Sequence, residues 1–346
     1  MSNIDKNYHN LLDEILQKGY WYDDPKRRDV KRLEIPSYTF RHEFKDGFPA
    51  ITTKKLNYHS VVTELIWFLK GDTNIKYLLD NNCNIWNKDA YNYSFKEGYN
   101  RTVENFIDQV KIGNFSGNLG PVYGHQWRNS NGVDQISNLI TNLKEQPLAT
   151  DHIVSSWNPA DLKDMALPPC HDYFQIIVRP LSFEERLKLS KYSFNIKLDE
   201  QDIIFELEEE NISKYGFELH WHQRSVDTFL GLPFNIASYA TLALIIEKLT
   251  EYKALAIQGD LKKVHLYDNS IDAVKEQLSR DVNKYDNIEL MFKDEFHYIT
   301  DKSISGELSL DKIISEMKPD WFKLNNYESY PYIKVEMNER NETNNT

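Results

Sequence analysis

Cys170, in the stretch ALPPCHDYFQ, has the surroundings of a candidate nucleophile. It follows two prolines and precedes His171. A nucleophilic cysteine must be a thiolate near neutral pH, which requires a nearby positive charge or strong hydrogen-bond donors. Because neighbours on a strand point to opposite faces, His171 is a poor source of that charge, and the activator is expected to come from elsewhere.

A second polar stretch, LHWHQRSVDTFLGLPFNIASY at 219–239, offers candidates for this role. Arg224, Ser225, Asp227 and Asn235 fall within twelve residues, between an apolar strand and an apolar helix. Polar residues between two core elements usually line one cleft, although each alone is more often an ordinary loop residue. Together the two stretches predict a cysteine enzyme, and the residue types alone leave its reaction open.

Six segments are predicted to position these residues. Apolar residues at helical spacing predict helices, and alternation or a short apolar run predicts strands. The helix at 234–252 is apolar nearly all round, so we expect it in the core. The predicted helices cover 3–19, 60–71 and 234–252, and the predicted strands cover 37–44, 152–157 and 173–178.

The length, net charge and cysteine count of the chain limit the classes of protein to which it can belong. The 346 residues can form one large domain or two, and 41 Lys and Arg against 53 Asp and Glu give a net charge of −12. This acidity argues against non-specific nucleic-acid or membrane binding. Two cysteines, Cys83 and Cys170, do not make a disulfide scaffold, so we expect a reduced, cytoplasmic protein. We also expect no signal peptide, and no apolar run of the roughly 18–20 residues that a membrane span needs.

Two polar, charged stretches are predicted to be insertions, at about 92–117 and 179–217. The second contains ELEEEN and is expected to project as a solvated surface hairpin. The last eight residues, 339–346, are expected to be disordered. The remainder, 1–338, is treated as a single catalytic domain.

The chain resembles thymidylate synthase and its relatives, the pyrimidine hydroxymethylases. The resemblance covers about residues 7–337 and rests on stretches in the family's order: DGFPAITTKKL, ELIWFLKGDTNIKYL, NLGPVYGHQWR, SSWNP, MALPPCH, HQRSVDTFLGLPFNIASY, VHLY and YPYIKVEM. It implies an α/β (α+β) fold whose large twisted mixed sheet packs back to back against a second copy in a homodimer. Helices would cover the other face.

The resemblance also implies a reaction. Cys170 would attack C6 of the uracil ring of dUMP, and C5 would then take its carbon from 5,10-methylenetetrahydrofolate. The folate would serve as one-carbon and hydride donor, so neither a metal nor a nicotinamide is needed. The residues matched to catalytic positions are Cys170, Glu64, Tyr123, Arg224, Asn235 and Asp227.

Individual roles follow from the same match. Asn235 would pair with uracil O4 and N3–H, because an amide offers both an acceptor and a donor. Relatives that act on cytosine have a similar motif with an aspartate at the position of Asn235, so the asparagine here favours a uracil substrate. Glu64 would organise water and shuttle protons near O4, Tyr123 would help remove the C5 proton, and Asp227 would bond to the pterin ring.

The remaining matched positions are binding residues. Arg224 would hold the nucleotide phosphate and favour the thiolate form of Cys170, while His265 and Tyr267 would hold the sugar hydroxyl. The substrate-binding set is Arg27, Gln223, Arg224, Ser225, Asn235, His265 and Tyr267. The folate-binding set is Lys54, Glu64, Trp86, Leu167, Asp227, Gly231 and Phe234.

The phosphate site departs from the family pattern. Where the family carries an Arg-Arg pair that reaches the partner subunit's phosphate, this chain has Thr150 and Asp151. An aspartate facing a phosphate costs roughly a few kcal/mol in a partly desolvated pocket. His152 could compensate in part. Four other basic residues could rebuild the clamp: Arg27, Arg28, Lys31 and Arg32.

Two further departures concern the closed site. Asp89 stands where the family has a second tryptophan, and the tail ERNETNNT continues beyond the family's usual apolar C-terminus. A more polar or leaky cleft would admit water and favour hydroxymethylation. The leading hypothesis is thymidylate synthase. The alternatives are a dUMP hydroxymethylase, an inactive or regulatory nucleic-acid-binding homologue, and an enzyme with an altered substrate.

Overall fold

The computed structural model of the chain describes residues 4–24, 29–95, 102–190, 200–285 and 287–335. Within these ranges a mixed sheet forms the centre, and a two-stranded sheet lies apart from it. The strands are β1 (Tyr20–Asp23), β2 (Lys31–Glu43), β3 (Ile153–Ser155), β4 (His171–Pro180), β5 (Tyr215–Gln223), β6 (Val226–Asp227), β7 (Lys253–Tyr267), β8 (Glu289–Phe292) and β9 (Phe322–Asn325).

The central sheet has the order β1-β2-β7-β5-β4-β3, and the short β6 pairs with β7. The pairs β5–β7 and β6–β7 are parallel, whereas the other pairs are antiparallel. The predicted mixed sheet is therefore confirmed. Because β5 and β6 both lie along β7, the loop between them and the end of β7 are brought to one place, where most of the candidate residues lie.

Helices surround this sheet and supply much of the core. They are α1 (Ile4–Lys18), α2 (Tyr58–Leu69), α3 (Lys76–Asp80), α4 (Asn87–Ser94), α5 (Val103–Lys111), α6 (Tyr123–Asn129), α7 (Gln135–Glu145), α8 (Phe183–Leu189), α9 (Glu200–Glu209), α10 (Leu232–Thr250), α11 (Ile271–Leu278), α12 (Asp294–Ile304) and α13 (Leu310–Glu316).

Helix α1 confirms the first predicted helix and shows why it ends. Leu11, Leu12 and Ile15 are fully buried on one face. Gly19 follows the helix and donates its backbone N–H to the Ile15 carbonyl at 2.9 Å. A Cβ at Gly19 would lie 2.5 Å from that carbonyl oxygen, so only glycine fits this close approach.

Helix α10 is the core helix that its all-round apolar sequence predicts. It contacts α2, α12 and β7, with Ile236, Ala240 and Ala243 fully buried. Among the described residues, α10 is also the one helix whose length and apolar composition would allow it to cross a membrane. By length and composition, the expectation that no apolar segment is long enough for a membrane span is therefore wrong. A buried core helix passes the same test, and 67% of the window is buried here.

The predicted strands exist with different bounds. β2 begins at Lys31, well before the predicted start, because β1 and the end of β7 both pair with its first residues. β3 is only three residues long, whereas β4 runs from His171 to Pro180. Pairing with strands distant in the sequence therefore determines where these strands end. The local alternation of apolar and polar residues does not indicate these ends.

The predicted insertions both contain packed helices. In the first, α5 buries Phe106, Ile107 and Val110, so this stretch contributes to the core. In the second, α8 and α9 pack on each other, so the expected hairpin is instead a helix pair. Leu207 of α9 is fully buried there. The expected disordered tail, 339–346, lies outside the described residues.

One face of the sheet near β3 and β4 carries exposed apolar side chains. Tyr173 and Ile177 alternate with buried Phe174 and Ile176 along β4, and Ile153 of β3 pairs with Gln175 on the same exposed face. Alternation places every second residue on one side of a sheet. The helices therefore cover one face here, and the opposite face is open.

Candidate active site

Cys170 lies in the turn that enters β4, and the backbone of this turn is held from two sides. The Cys170 N–H donates to the Tyr123 hydroxyl at 2.7 Å, and the Cys170 carbonyl accepts from the Arg224 N–H at 2.9 Å. Cys83 and Cys170 are not joined in a disulfide, and Cys83 is buried. The candidate nucleophile is thus fixed between the first residue of α6 and the end of β5.

The Arg224 side chain spans the turn as well. Its Nε donates to the Pro169 carbonyl at 2.7 Å and its Nη2 donates to the Pro168 carbonyl at 2.9 Å. The guanidinium carbon lies 5.4 Å from the centroid of the Trp157 ring. A planar fork with several donors suits this double contact, which places a permanent positive charge on the turn that carries the candidate nucleophile.

His171 is held among aromatic rings and cannot supply that charge. Its ring stacks on Tyr123 with centroids 4.3 Å apart, and its Nδ1 lies 2.9 Å from the Tyr239 hydroxyl. Burial lowers the pKa of His171 to about 3, so the imidazole is neutral. This fits the expectation that the activator lies elsewhere, and it gives His171 the task of fixing Tyr123.

Glu64 of α2 is linked to Tyr123 through Trp86. The Trp86 indole N–H donates to Glu64 Oε1 at 2.6 Å, and the Trp86 and Tyr123 ring centroids are 6.1 Å apart. Burial raises the pKa of Glu64 to about 7, although the bond from Trp86 opposes the rise. A carboxyl group that titrates near neutral pH can both give and take a proton.

Asn235 lies in the first turn of α10 and its amide is oriented by Gln223. Gln223 Nε2 donates to Asn235 Oδ1 at 3.1 Å, and the same nitrogen lies 3.4 Å from the Ser225 carbonyl. Gly231 precedes the helix, and its carbonyl accepts from the Asn235 N–H at 3.1 Å. The structure therefore joins three predicted substrate-binding residues, Gln223, Ser225 and Asn235, at one helix start.

The end of β7 and the short β6 bring Asp227, His265 and Tyr267 together. Asp227 pairs with His265 in the sheet, and the His265 and Tyr267 ring centroids are 5.0 Å apart. His265 Nδ1 bonds to the Lys263 carbonyl at 2.7 Å, while its buried Nε2 has no hydrogen-bond partner among the residues that the structure describes. Burial lowers the pKa of His265, so a neutral ring can present Nε2 as an acceptor to a ligand hydroxyl.

Lys54 lines a cleft of about 600 Å³. Its Nζ donates to the Phe229 carbonyl and lies 3.6 Å from the centroid of the Phe229 ring. Burial lowers the pKa of Lys54 to about 7, and nearby Asp227 opposes the shift. Much of the cleft wall is apolar, and the lining includes Lys55, Leu230, Pro233, Phe234 and Tyr332. Its volume and apolar wall suit a small-molecule ligand, with Lys54 available to an anionic group.

Some residues that were predicted to bind substrate or folate lie outside the hydrogen-bond network described above. Leu167 is partly buried and packs on the core one residue before Pro168. Arg27 and Arg28 lie outside the described residues. Arg32, one of the suggested replacements in the phosphate clamp, is paired with buried Asp24 at 3.1 Å.

The structure describes two of the three departures from the family pattern, at Thr150–Asp151 and at Asp89, and little of the third, the C-terminal extension. Thr150 and Asp151 are both exposed beside β3, and the Thr150 carbonyl accepts from Gln175 Nε2 at 2.8 Å. Asp89 lies in the first turn of α4 and is partly buried. Most of the C-terminal extension lies outside the described residues. Across the described ranges, no group of three or more His, Cys, Asp or Glu could hold a metal ion.

Sequence reasoning missed several residues that hold the site. Trp157 contacts Arg224 and Tyr239 contacts His171, and both lie in stretches already singled out. Asp5 and Tyr8 of α1 hold the loops that carry Lys54 and Asp227. Nothing local in the sequence marks these last two, because their partners are 47 and 220 residues away.

Comparison with known proteins gives a consistent result. The family model described as thymidylate synthase matches residues 6–339. A thymidylate synthase of Malacoplasma penetrans is 36% identical over 335 residues, which cover 95% of this chain and 98% of the relative. One of Enterobacteria phage T4 is 38% identical over 340 residues, covering 96% and 99%. One of Mycoplasma genitalium is 40% identical over 282 residues, covering 80% and 85%.

Proposed function

The chain belongs to the thymidylate synthase family, and from this premise we propose that it methylates C5 of dUMP to give dTMP. The co-substrate is 5,10-methylenetetrahydrofolate, which supplies the carbon and the hydride and leaves as dihydrofolate. The observation that carries the proposal is the turn of Cys170, held between Tyr123 and Arg224. The relatives are named thymidylate synthase, so hydroxymethylation is not favoured.

In this proposal Cys170 Sγ attacks C6 of the uracil ring, and the π electrons of the C5–C6 bond move towards O4. The Arg224 guanidinium stabilises the attacking thiolate. Asn235, oriented by Gln223, receives the ring edge with one acceptor and one donor. Glu64, whose pKa is raised to about 7 by burial, exchanges protons with water near O4. C5 then acts as the nucleophile.

Loss of the C5 proton, cleavage of the bond between the transferred carbon and the folate nitrogen, and hydride transfer from the resulting tetrahydrofolate complete the methylation. Tyr123, fixed by His171 and by the Cys170 N–H, is the proposed group near the C5 proton. Burial raises the pKa of Tyr123 well above its usual range, so the hydroxyl relays the proton and does not hold a charge. After hydride arrives at the methylene carbon, the bond between Cys170 Sγ and C6 breaks and the thiolate is regenerated.

The remaining groups fit binding roles. Asp227 suits the N–H donors of a pterin ring, and the cleft lined by Phe234 suits the rest of the folate. Gly231, Trp86 and Leu167 complete the proposed folate set. For the nucleotide, we assign the phosphate to Arg224, Ser225 and Arg27, and the sugar hydroxyl to His265 Nε2 and Tyr267.

We also propose that a second copy of the chain covers the open sheet face. Exposed Ile153, Tyr173 and Ile177 support this, because an uncovered apolar patch on a sheet is costly in water. Residues 1–338 would act as a single catalytic domain in a cytoplasmic homodimer. The net charge of −12 supports the absence of membrane and nucleic-acid partners.

The direct test is to incubate the protein with dUMP and methylenetetrahydrofolate. Absorbance reports dihydrofolate, and mass spectrometry reports the nucleotide. Dihydrofolate together with a product heavier by CH₂ is expected. A product heavier by CH₂O, with the folate left as tetrahydrofolate, would instead establish the hydroxymethylase. No product from dUMP or dCMP would favour an inactive homologue or an altered substrate.

A further inference from the structure

Helix α1 bonds to two loops, the one that carries Lys54 and the turn formed by Asp227, Thr228 and Phe229. Asp5 and Tyr8 are three residues apart and both are buried. On a helix this spacing places two side chains on one face. Asp5 reaches the loop that carries Lys54, and Tyr8 reaches the turn that carries Asp227.

The Asp5 carboxylate is bound by four donor groups of two successive residues. The backbone N–H groups of Thr52 and Thr53 donate to it at 2.9 and 3.0 Å. The two threonine hydroxyls donate at 2.7 and 2.8 Å. Hydrogen bonds to a charged group are stronger than neutral ones, so this contact fixes the backbone directly before Lys54.

The same loop is held from its other side. Gln277 Nε2 donates to the Thr53 hydroxyl at 3.0 Å, and Arg280 Nη1 donates to the Thr53 carbonyl at 2.7 Å. Arg280 Nη1 also donates to the Pro331 carbonyl at 2.8 Å, which joins the loop to the segment carrying Tyr332 at the cleft. Thr53 therefore has every polar group engaged.

Tyr8 performs the matching task on the opposite wall. Its hydroxyl donates to the Thr228 carbonyl at 2.7 Å, between Asp227 and Phe229. The Phe229 carbonyl is the acceptor of the Lys54 ammonium group. The helix thus fixes both partners of this bond. Asp5 holds the loop that carries the donor Lys54, and Tyr8 holds the turn that carries the acceptor carbonyl, so α1 sets the distance between loop and turn.

We propose that Asp5 and Tyr8 are positioning residues for the co-substrate, which set the distance between Lys54 and the Asp227–Phe229 turn. The inference rests on the proposed function for the identity of the ligand and deepens it. Neither residue touches the nucleotide side at Cys170. Asp5 bonds to the loop of Lys54, so its loss should weaken folate binding and leave dUMP binding unchanged.

The test compares Asp5→Asn with Asp13→Asn, a matched change on the exposed face of the same helix. Asp5→Asn should raise the KM for methylenetetrahydrofolate on the order of 10-fold, with a smaller change in kcat and the same Kd for dUMP. Asp13→Asn should change none of these. Equal effects of the two variants, or an equal loss of dUMP affinity, would overturn the proposal.

A double-mutant cycle separates positioning from general stability. In a Lys54→Met background, Asp5→Asn should change the folate KM by less than about 2-fold, because the group that Asp5 positions is already gone. Tyr8→Phe should behave in the same way. Full and equal effects in both backgrounds would show that α1 merely supports the fold.

Two further measurements keep the proposal testable if Asp5→Asn does not fold or the reaction is different. Thr53→Ser keeps the hydroxyl and should retain the wild-type KM, whereas Thr53→Val should raise it. Tetrahydrofolate binding, followed by tryptophan fluorescence, gives the same comparison without turnover. A wild type that makes no dTMP refutes the proposed function. Tetrahydrofolate Kd values that differ between Asp5→Asn and Asp13→Asn would still support the inference, and equal values would refute it.

Discussion

The cysteine side of the site, formed by Cys170, Tyr123 and Arg224, is held by backbone hydrogen bonds, by stacked rings and by the Arg224 guanidinium. The lysine side, formed by Lys54 and the Asp227–Phe229 turn, is held by charged side chains that bond to loops. On the first side, the pairing of β4 with β5 continues into the turn, where the Arg224 N–H donates to the Cys170 carbonyl. On the second, that order comes from distant parts of the chain, from Asp5 of α1 and from Arg280 in the turn after α11.

This difference predicts how each side responds to change. The cysteine side carries the reacting groups, so it should lose chemistry when one of them is removed. The lysine side carries Lys54, whose pKa is lowered to about 7 by burial, so a change in its loop should alter both its position and its protonation. Substitutions on the cysteine side should therefore act on kcat, and those on the lysine side on the KM for folate and on pH dependence.

The largest expected effect is that of Cys170→Ala. Removing the nucleophile should lower dTMP formation on the order of 10⁴-fold or more, while the unfolding midpoint stays close to the wild type. The tritium-release or dihydrofolate assay measures the first, and thermal denaturation measures the second. Normal turnover in this variant would rule out the assigned nucleophile.

Arg224→Lys should have the next largest effect. An ammonium group cannot bond to the Pro168 and Pro169 carbonyls as the guanidinium does, so the turn of Cys170 loosens. We expect kcat to fall on the order of 10²-fold. Arg179→Lys, an exposed arginine on β4 paired with Glu185, is the control and should leave kcat unchanged. A normal kcat for both variants would contradict the role of Arg224.

Opposite pH responses would sharpen the comparison. In the free protein the pKa of Glu64 is raised from 4.5 to about 7, so its folded form holds a proton that the unfolded form loses, and stability falls as pH rises through this range. The pKa of Lys54 is lowered from 10.5 to about 7, so the unfolded form binds more protons and stability rises between those values.

The corresponding variants remove these dependences. Relative to the wild type, Glu64→Gln should gain free energy of unfolding as pH increases from about 4.5 to 7. Lys54→Met should lose its relative advantage as pH increases from about 7 to 10.5. Urea unfolding across this pH range measures both. Parallel slopes for the two variants would show that burial does not act on the two groups in opposite directions.

The smallest effect is expected from the second insertion. The Leu181 N–H donates to the Lys214 carbonyl at 2.9 Å, so β4 and β5 are still paired where the insertion leaves the sheet. Replacing 182–213 by Asn-Gly should close this hairpin and change kcat/KM by less than about 2-fold. The control is Phe205→Ser, which alters the exposed surface of α9 alone. A large loss of activity on excision would show that α8 and α9 belong to the catalytic unit.

Much of the fold could be predicted because its signals are local. The face of Leu11, Leu12 and Ile15 predicted α1, and the all-round apolar pattern predicted the buried α10. The bounds of β2 could not be predicted, because its first residues are ordered by pairing with β1 and β7. The helix pair α8–α9 was predicted as a hairpin, because a charge run indicates exposure and carries no periodicity of its own.

The site divides in the same way. The nucleophile and the polar stretch around Arg224 and Asn235 could be chosen from residue types and the family resemblance. The protonation of His171 and Lys54 could not, because it depends on how much water and which charges the folded chain leaves around each group.

The sequence by itself determined the main helices, the order of the family's stretches and the identity of Cys170 as the candidate nucleophile. Tertiary structure alone decided that Asp5 and Tyr8 support the lysine side and that Trp157 lies beside Arg224. The physical reason is range. Periodicity and turn chemistry act over a few residues, whereas these contacts join groups 47, 220 and 67 residues apart, which only the packed sheet and helices bring together.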